Sequence, residues 1–522
     1  MRTVLALLLV VWYSSSVRAQ SFSRDWRPED RTVIGDYSRV NTIAASAERV
    51  FVVSASGVLI WNPQFQRWEG AFDPPERSLL ARVYTGLTDP LDNSLWLARP
   101  DGWVHYQPDI QLWDQGLVPE GIQAIAFDQD NPAAGLYLRT RAGWALLPRG
   151  GTLPAPANPP ARPLKPYTVA EAIRSNPTLQ ANAASILTDN RLRTVRYTAA
   201  ARSFDGRGWY LGTSGAGVLY LSDASPLPQR MSFGLPSSRV GAVFSWPGGV
   251  WAATDRTAYG DAALTFVATD LARFESLPGT SATGTPFSQV RELAGQGRAV
   301  WAATDFGVAR LEPADSTLQL VDERRGLPDS RVYSIVSRGG RIVVGTAHGV
   351  ARLGDSLRVE RIAPGYTGAV YTVFPTGDSV WAGTPNGLLL ALPNQPDLVR
   401  PSGMASPSLQ AGVVDLAPLA DTLVALTRDH LLWRDPRSRQ WTLGPNLSGL
   451  LGRLRRFVAD GPGFWVAGDR GVGFVRLGTP PLRPLREGDL PGAVNDLAVD
   501  EEFLWLATDA GLVRFRLSVI RP

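Results

Sequence analysis

The sequence predicts an all-β protein, a β-propeller of about eleven four-stranded blades, and three features of the chain point to this fold. A short phrase recurs along the 522 residues at a spacing of ~40, which is the repeat length of propeller blades. Each copy joins two apolar segments by a turn that usually carries glycine. Tryptophan recurs at one place in the first of these segments. Repetition of such a unit predicts small antiparallel sheets arranged around an axis.

The recurring phrase is clearest at four places and looser at seven others. The clear copies begin at Leu95 (LWLARPDGWVHY), Val300 (VWAATDFGVARL), Val380 (VWAGTPNGLLLA) and Leu504 (LWLATDAGLVRF). The turn glycine, or the residue that replaces it, marks all copies: Gly57, Gly102, Gly143, Gly217, Ala258, Gly307, Gly349, Gly387, His430, Gly471 and Gly511. The interval that follows Gly143 is the longest, so it is expected to hold an insertion.

Each repeat is expected to form four antiparallel strands. In the copy at Val300, β-branched, aromatic and small residues form one strand, and residues 308–311 form the return strand. The hairpin between them needs a residue that tolerates positive φ, which Gly307 supplies. Apolar segments upstream and downstream, such as SRVYSIV from Ser330 and RQW before Thr442, supply the other two strands.

Seven of the 17 tryptophans fall at or beside one equivalent position of the second strand. They are Trp96, Trp209, Trp251, Trp301, Trp381, Trp465 and Trp505. A large aromatic residue that recurs with the period of the fold is expected to pack between adjacent blades. The alternative, a ring of tryptophans that stack on carbohydrate, is less favoured because an exposed platform is not needed in every unit.

Eleven blades exceed the ~4 to 8 of ordinary propellers, so two rings are expected. We place a first propeller at 20–270, with a helical insertion at 150–195, and a second at 271–522. The last repeat lacks a fourth strand, and the segment near 31–36 is expected to supply it. If the termini meet in this way, one ring is inserted in the other.

The insertion begins with a proline-rich stretch, 150–166, that is expected to be extended. Thr168 and Glu171 then form a capping-box pattern for a helix, and Asn176-Pro177 separates it from a second helix that runs to about Leu187. Two roles stay open for this helical segment near 165–190. It could be clamped against the side or face of the propeller, or it could act as a lid or a partner-docking arm.

The N-terminus predicts a secretory signal peptide over 1–19. Arg2 supplies the positive charge, residues 4–12 are apolar, and cleavage is expected near Ala19. Nine apolar residues are too few to span a bilayer, which needs ~20. We therefore expect a secreted or periplasmic protein without an integral membrane segment in the mature chain. The absence of cysteine excludes disulfides and thiolate chemistry.

Charge is nearly balanced, with 52 basic and 48 acidic residues. No run of arginines builds the patch that tracks a phosphate backbone, so nucleic acid is not an expected partner.

The stretch GLPDSRVYSIVSRGGRIVVGTAHGVARL, residues 326–353, resembles the two-component regulator propeller repeat. The GLP lead-in, the V-x-x-I strand and the G-V-x-R-L return carry the resemblance, and GLPSSRV from Gly234 is a further copy. The resemblance implies a propeller like the periplasmic sensor region of hybrid histidine kinases, or a free-standing secreted protein. No kinase sequence follows the repeats, so the second form is expected.

Local motifs for catalysis or metal binding are weak. The three histidines, His105, His348 and His430, fall at different places in their repeats, so a shared metal site is not expected. Residues 128–131 could form a calcium loop, but a polar hairpin is favoured. Recurring Thr-Asp pairs, such as Thr304-Asp305, are interpreted as hairpin hydrogen bonding rather than catalysis. We expect no cofactor, no metal and no enzymatic activity.

One polar element recurs where propellers bind ligands. Arg39, Arg239 and Arg331 each precede an innermost strand within a Ser-Arg-Val triplet, and they are the candidate binding residues at a channel mouth. The alternative is that each arginine ties neighbouring loops together through carbonyl oxygens.

The functional expectation is a secreted, non-enzymatic propeller that binds a cell-envelope protein or an anionic or glycan ligand. Two alternatives stay open: a polysaccharide lyase or glycosidase whose residues converge from several blades, and an envelope assembly or secretion accessory factor.

Overall fold

The computed structural model describes residues 26–521, apart from 75, 77, 182–186, 189–193, 226, 259, 280–286, 355, 402–410 and 478–481. The expected signal peptide, 1–19, lies outside the described residues. Within them the chain forms eleven antiparallel sheets that repeat along the sequence, as the all-β prediction requires, and one separate two-stranded pair. We number these sheets blade 1 to blade 11 in chain order.

Blades 1 to 4 make up the first part of the chain. Their strands are, for blade 1, Thr42–Ala45, Val50–Ser54, Gly57–Asn62 and Arg67–Phe72; for blade 2, Thr85–Thr88, Leu95–Arg99, Gly102–Gln107 and Leu112–Leu117; for blade 3, Ile122–Asp128, Gly135–Thr140, Gly143–Pro148 and Ala155–Pro156, with Pro163–Leu164 added at its first strand; and for blade 4, Tyr197–Arg202, Gly208–Thr213, Val218–Ser222 and Gln229–Met231.

Blades 5 to 8 follow. Their strands are, for blade 5, Val240–Trp246, Gly249–Thr254, Ala263–Ala268 and Phe274–Pro278; for blade 6, Val290–Gln296, Ala299–Thr304, Gly307–Glu312 and Thr317–Val321; for blade 7, Val332–Arg338, Arg341–Thr346, Gly349–Leu353 and Val359–Ile362; and for blade 8, Thr372–Thr376, Ser379–Thr384 and Gly387–Ala391.

Blades 9 to 11 complete the chain. Their strands are, for blade 9, Val413–Leu419, Thr422–Thr427, His430–Arg434 and Trp441–Asn446; for blade 10, Leu454–Asp460, Gly463–Gly468, Gly471–Arg476 and Leu482–Arg486; and for blade 11, Val494–Val499, Phe503–Thr508, Gly511–Arg516 and, from the N-terminus, Arg31–Ile34.

The last seven blades form a closed ring. The first strands of blades 5 to 11 contact one another in chain order, and the first strand of blade 11 contacts that of blade 5. Arg31–Ile34 pairs antiparallel with Gly511–Arg516, with Val33 opposite Val513, and this pairing gives blade 11 its fourth strand. We call this unit, 240–516 with strand 31–34, the seven-bladed ring.

The expected boundary at residue 270 needs correction, because blade 5 belongs to the seven-bladed ring. Val243 of blade 5 is buried in one cluster with Ala498 and Trp505 of blade 11. The division therefore falls before residue 240. Blades 1 to 4 lie between strand 31–34 and blade 5 in the sequence, so they are inserted into the ring.

The first four blades form an open arc, in the spatial order 4, 1, 2, 3. Among the described residues, the first strands of blades 3 and 4 lack the close packing that joins the other neighbouring blades. The helical insertion instead covers blade 4: Val169–Ser175 packs on its first strand, and Ala172 and Leu179 are buried against Trp209 and Leu211. We call this unit, 42–231, the four-bladed arc.

The insertion follows its predicted local pattern, with one difference. Thr168 caps the helix Val169–Ser175, and the reciprocal bonds with Glu171 that form a capping box are both present. The second helix is Pro177–Ala181. It does not continue to Leu187, because Leu187–Thr188 is a strand that pairs with Thr194–Val195.

The two units meet through aromatic and ionic contacts. Phe233, in the segment that leads from the arc to the ring, lies 4.5 Å from Phe274 of blade 5 and 5.3 Å from Trp68 of blade 1, measured between ring centroids. Arg31 of the closing strand forms an ion pair with Asp73, with its Nη2 2.7 Å from Oδ2. Both contacts join the arc to blades 5 and 11 of the ring.

The recurring tryptophans of the ring are packing residues, as predicted. Trp251, Trp301, Trp381, Trp465 and Trp505 are at most 5% exposed. Trp301 shares its cluster with residues of the next blade, Val332 and Ile335 among them. In the arc, Trp209 is buried, whereas Trp96 is only partly buried and stacks on His105 with ring centroids 3.9 Å apart.

The hairpin between the second and third strands has a repeated geometry. The hydroxyl of Thr304 donates to the carbonyl of Gly307 at 2.7 Å and accepts from the amide of Phe306 at 3.1 Å. Gly307 has φ +122°, and a Cβ there would lie 2.2 Å from the carbonyl oxygen of Val321. Glycine is therefore required both by the backbone angle and by the neighbouring strand.

Other helices are short. The α-helices are Ser78–Ala81, Ser448–Leu451 and Leu517–Ile520, and the 3-10 turns are Pro28–Asp30, Pro132–Ala134, Glu323–Arg325 and Glu487–Asp489. None of the helices in the described ranges has the length and apolar character that crossing a membrane requires.

Candidate functional site

Most first strands of the ring share the same break in strand pairing at their start. In six of the seven blades the pairing with the second strand shifts immediately after the first residue of the strand, which is a β-bulge. The residue at this shift is left unpaired. These residues, together with Tyr371 of blade 8, line one cavity at the ring axis: Gly241, Arg291, Tyr333, Tyr371, Val414, Arg455 and Asn495.

This cavity has a volume of about 450 Å³ and lies at the end of the ring where the first strands begin. We call it the channel mouth. Its arginines are Arg239, Arg291, Arg428, Arg455 and Arg456, whereas Asp255 is the one carboxylate in its lining among the described residues. Clustered guanidinium groups in a concave site give a positive potential that attracts anions.

Of the three arginines that the sequence singled out, the structure brings one to the channel mouth. Arg239 lines it, with Nε 3.5 Å from a carboxylate oxygen of Asp255 and 3.4 Å from one of Asp509. These two ion pairs join blades 5 and 11, so Arg239 also has the loop-tying role that was the alternative.

Arg39 and Arg331 lie apart from Arg239. Arg39 comes just before the four-bladed arc and forms a bridge with Ser214, which follows the second strand of blade 4. Arg331 lies at the same end of the ring as the channel mouth but is turned to Asp329, with Nε 3.3 Å from Oδ1. The second Asp329 oxygen lies 2.5 Å from Nδ1 of His348.

Sequence reasoning missed the other four arginines because it considered only the residue before each first strand, which is two positions ahead of the cavity-lining residue. The cavity-lining position follows the apolar first residue of each first strand, and there blades 6 and 10 have Arg291 and Arg455. Arg428 occupies the turn position that holds Asp305 in blade 6. Aligning the repeats at the bulge, rather than at the Ser-Arg-Val triplet, identifies Arg291 and Arg455.

The next residue along the strand joins neighbouring blades beneath the channel mouth. The Glu292 carboxylate accepts the amide of Ile335 at 2.8 Å, Asp415 accepts that of Phe457 at 3.1 Å, and Asp496 accepts that of Val243 at 3.0 Å. Each bond crosses from one blade to another, so these carboxylates hold the first strands of the ring together.

Arg456 lies among these carboxylates. Its Nη1 is 3.7 Å from Glu292 and 3.6 Å from Asp415, and its Nη2 donates to the carbonyl of Arg291 at 3.1 Å. Asp496 also interacts with it electrostatically. We call Arg456, Glu292, Asp415 and Asp496 the floor cluster. One guanidinium against three carboxylates leaves an excess of two negative charges when all are ionised.

Burial sets the protonation of the floor cluster. It raises the pKa of Asp415 to about 6 and that of Asp496 to about 7, although Arg456 acts in the opposite direction on both. Loss of hydration disfavours the charged carboxylate in such a site. Asp415 and Asp496 therefore take up protons at higher pH than an exposed aspartate does.

The floor carboxylates are close enough together to be compared with a glycosidase pair, since Glu292 and Asp415 both lie within 4 Å of the same guanidinium nitrogen. They do not line the channel mouth, however, and Arg456 does. Their oxygens are bonded to backbone amides of adjacent blades. The polar side chains that line the cavity carry guanidinium, phenol and amide groups, with Asp255 as the one carboxylate among the described residues.

Other polar motifs have structural partners. The Asp128 carboxylate accepts the amides of Asp130, Ala161 and Arg162, which ties the proline-rich stretch to blade 3. His105, His348 and His430 lie in three different blades. In the part of the chain that the structure describes, no group of histidine and acidic residues could hold a metal ion.

The recurring Thr-Asp pairs act in two ways, which modifies their interpretation as hairpin bonds. The threonines close the turn, as expected. The aspartates reach outside it: Asp255 accepts the amide of Val290 in the next blade at 3.0 Å, and Asp305 accepts the amides of Ser288 and Gln289.

A second cavity, of about 460 Å³, lies at the junction of the two units. Aromatic side chains dominate its walls, including Tyr37, Trp68, Phe233 and Phe274. It therefore differs in character from the arginine-rich channel mouth.

No family model and no curated protein matches the chain. Among solved structures, the fold is similar to PorZ, described as an essential bacterial surface component of the type-IX secretion system of Porphyromonas gingivalis, with TM-score 0.56 and 10% identity over 93% of this chain and 87% of that one.

A second similar structure is the extracellular domain of a putative hybrid two-component system from B. thetaiotaomicron, with TM-score 0.45 and 12% identity over 92% of this chain and 70% of that one. Virginiamycin B lyase from Staphylococcus aureus has TM-score 0.44 and 13% identity over 53% of this chain and 94% of that one. At 10% identity the likeness to PorZ shows the fold alone. The β-propeller arrangement follows from the order and packing of the sheets.

Proposed function

We propose that this protein is an exported, non-enzymatic binding module of the cell envelope that presents the channel mouth of its seven-bladed ring to a protein or ligand. The observation that carries this proposal is the lining of the cavity, in which five arginines face one aspartate. A ring closed by a strand from the other end of the chain holds these side chains on a rigid scaffold. Arginine-rich concave sites on rigid elements suit the recognition of carboxylate or phosphate groups.

The similarity to PorZ supports a place at the bacterial surface and favours a second candidate function, an envelope assembly or secretion accessory factor. The two candidates share a binding face and differ in the partner. Identification of that partner therefore decides between them.

The test is affinity capture from the native cell envelope with the mature chain, 20–522, and mass spectrometry of the bound proteins. Arg428→Glu reverses a charge at the channel mouth, and Arg298→Glu is the matched control in an exposed turn at the opposite end of the same ring. We expect a component that wild type and the control capture but Arg428→Glu does not. Equal capture by all three proteins would rule out the channel mouth as the binding face. A secretion component among the lost proteins would establish the second candidate.

The enzymatic alternative has one observation in its favour, the raised pKa values of Asp415 and Asp496. Incubation of the protein with polygalacturonate, followed by measurement of new reducing ends and unsaturated products, tests it. We expect no products above those of a boiled sample. Turnover that is abolished by Asp415→Asn would replace the binding proposal with a catalytic one.

A further inference from the structure

We propose that the channel mouth is a proton-coupled oxyanion site, which holds a sulfate-, phosphate- or carboxylate-type group against Arg291, Arg428 and Arg455 while the floor cluster takes up a proton. The inference rests on the proposed function and deepens it, because it names the chemistry of the bound group and what regulates its binding.

The three arginines still have donors to offer. Arg428 is exposed at the cavity and has no side-chain partner among the described residues. The Nε of Arg291 is buried without a hydrogen-bond partner, and one Nη bonds Gln289 at 3.3 Å. Arg455 uses Nε on Asp469 at 2.6 Å. Guanidinium groups from three blades thus line one cavity, and a planar guanidinium can bind an oxyanion through two parallel N–H groups.

An aromatic shelf lies beside these donors. Tyr333 and Tyr371 both line the cavity, with ring centroids 5.6 Å apart. The Arg291 guanidinium carbon lies 5.3 Å from the centre of the Tyr333 ring. A ligand with a planar or apolar group next to its anionic group would contact both surfaces at once.

The floor cluster couples this site to pH. An anion in the channel mouth lies next to the floor cluster, in which three carboxylates face the single guanidinium of Arg456. When these carboxylates are ionised, the anion and the cluster repel each other. The charged groups that face Asp415 and Asp496 are Arg456 from blade 10 and Glu292 from blade 6. The first strands of blades 5, 7 and 8 have uncharged residues at the position that Asp415 and Asp496 occupy in their blades, namely Ala242, Ser334 and Thr372.

Protonation of Asp415 or Asp496 removes part of this repulsion. Burial already raises the pKa values of Asp415 and Asp496 to about 6 and about 7, within the range where a small perturbation changes their occupancy. The anion raises these values further, so its binding takes up a proton near neutral pH. By linkage, the affinity for the anion increases as pH falls.

Calorimetric titration of the mature chain with sodium sulfate, at constant ionic strength and at pH 8, 7 and 6, tests the inference. Sulfate keeps its charge over this range, so the ligand contributes no pH dependence. We expect roughly fivefold tighter binding at pH 6 than at pH 8, because a rise of one unit from a pKa of about 7 gives at most tenfold over the whole titration, and part of that lies outside this range. Titration in two buffers of different ionisation enthalpy measures the proton uptake directly.

Three variants assign the effect to residues. Arg428→Ser is expected to weaken sulfate binding about tenfold, whereas Arg298→Ser, at the far end of the ring, leaves it unchanged. Asp496→Asn keeps an acceptor for the Val243 amide but cannot ionise. It should bind sulfate more tightly at pH 8 and lose most of the pH dependence. Circular dichroism and thermal melting establish that each variant is folded.

The shelf is tested with two sulfonates that differ in their apolar group. Benzenesulfonate is expected to bind more tightly than methanesulfonate, and Tyr371→Leu to reduce the difference.

Lack of sulfate binding, equal binding by Arg428→Ser and Arg298→Ser, or an unchanged pH dependence in both Asp496→Asn and Asp415→Asn would overturn the inference. Capture of an envelope partner would be unaffected by these outcomes, so failure here and failure of the proposed function are distinguishable.

Discussion

The seven-bladed ring and the four-bladed arc are built from the same repeat, but the faces of their sheets are covered in different ways. In the ring, every blade packs against two neighbours, and a strand from the N-terminus completes the last blade. In the arc, the series stops, and two short helices cover blade 4. The repeat therefore specifies a single blade, whereas closure of a ring depends on which segment packs against the faces of the blades.

One tryptophan of the arc also differs from those of the ring. The ring tryptophans are almost completely buried between blades and Trp209 of the arc is buried against the helical insertion, whereas Trp96 of the arc is partly exposed and stacks on a histidine. Four predictions, in order of decreasing effect, test whether the two regions depend on these different contacts.

Ile34→Asp should destabilise the ring by about 5 kcal/mol, because it places a carboxylate without a partner in a closed apolar cluster. Ile34 is fully buried there, with Val243 and Trp505. Urea denaturation followed by tryptophan fluorescence measures the loss. Thr32→Asp, on the same strand at a partly exposed position, is the control and should have a small effect. Equal losses in both variants would contradict a role for this strand in closure.

Trp301→Ala should cost about 3 to 5 kcal/mol of the free energy of unfolding, because a large side chain is removed from a packed interface. Trp96→Ala should cost less, since that side chain is partly exposed. Thermal melting and urea denaturation of both variants measure the difference. A Trp96→Ala loss as large as that of Trp301→Ala would show that arc and ring pack alike.

Leu179→Ala should cost about 2 to 3 kcal/mol and act on the arc, because the side chain is buried under blade 4. Hydrogen exchange measured by mass spectrometry should show reduced protection in 197–202 and unchanged protection in the first strands of the ring. The exposed Leu153→Ala serves as the control. Loss of protection throughout the ring would mean that the two units unfold together.

The pH dependence of stability should have opposite sign in the two regions. Asp415 and Asp496 have raised pKa values, so the folded ring holds protons that the unfolded chain releases, and its stability falls as pH rises from about 4 to 7. In the arc, bonds from the Thr168 amide and Lys165 lower the pKa of Glu171 to about 2. That contribution is present above the unfolded pKa and is lost as pH falls towards 2.

Urea denaturation at pH 5, 6, 7 and 8, with wild type and Asp496→Asn, measures the ring contribution. The variant should show a smaller decrease between pH 5 and 7. An identical decrease in both proteins would assign the pH dependence to other groups.

The local part of the structure was predictable from sequence because it depends on neighbouring residues. The Thr304–Gly307 turn is set by one hydroxyl and one positive φ, and the Thr168 cap by residues three apart. Blade packing was predictable from the period of the tryptophans. The candidate site was only partly predictable: Arg239 was found, whereas Arg291 and Arg455 depend on a bulge that shifts the lining position by one residue.

The repeat, the hairpins, the fold class and the missing fourth strand of the last blade follow from sequence patterns within ~40 residues. The division of the eleven blades into seven and four, the packing of blade 5 on blade 11 and the meeting of five arginines at one cavity are visible only in the folded chain. They depend on contacts between residues hundreds of positions apart, such as Val243 with Asp496, which no local pattern encodes. Similar repeats have nearly equal local preferences for forming a blade. Which blades become neighbours is therefore decided by how the faces of their sheets pack together.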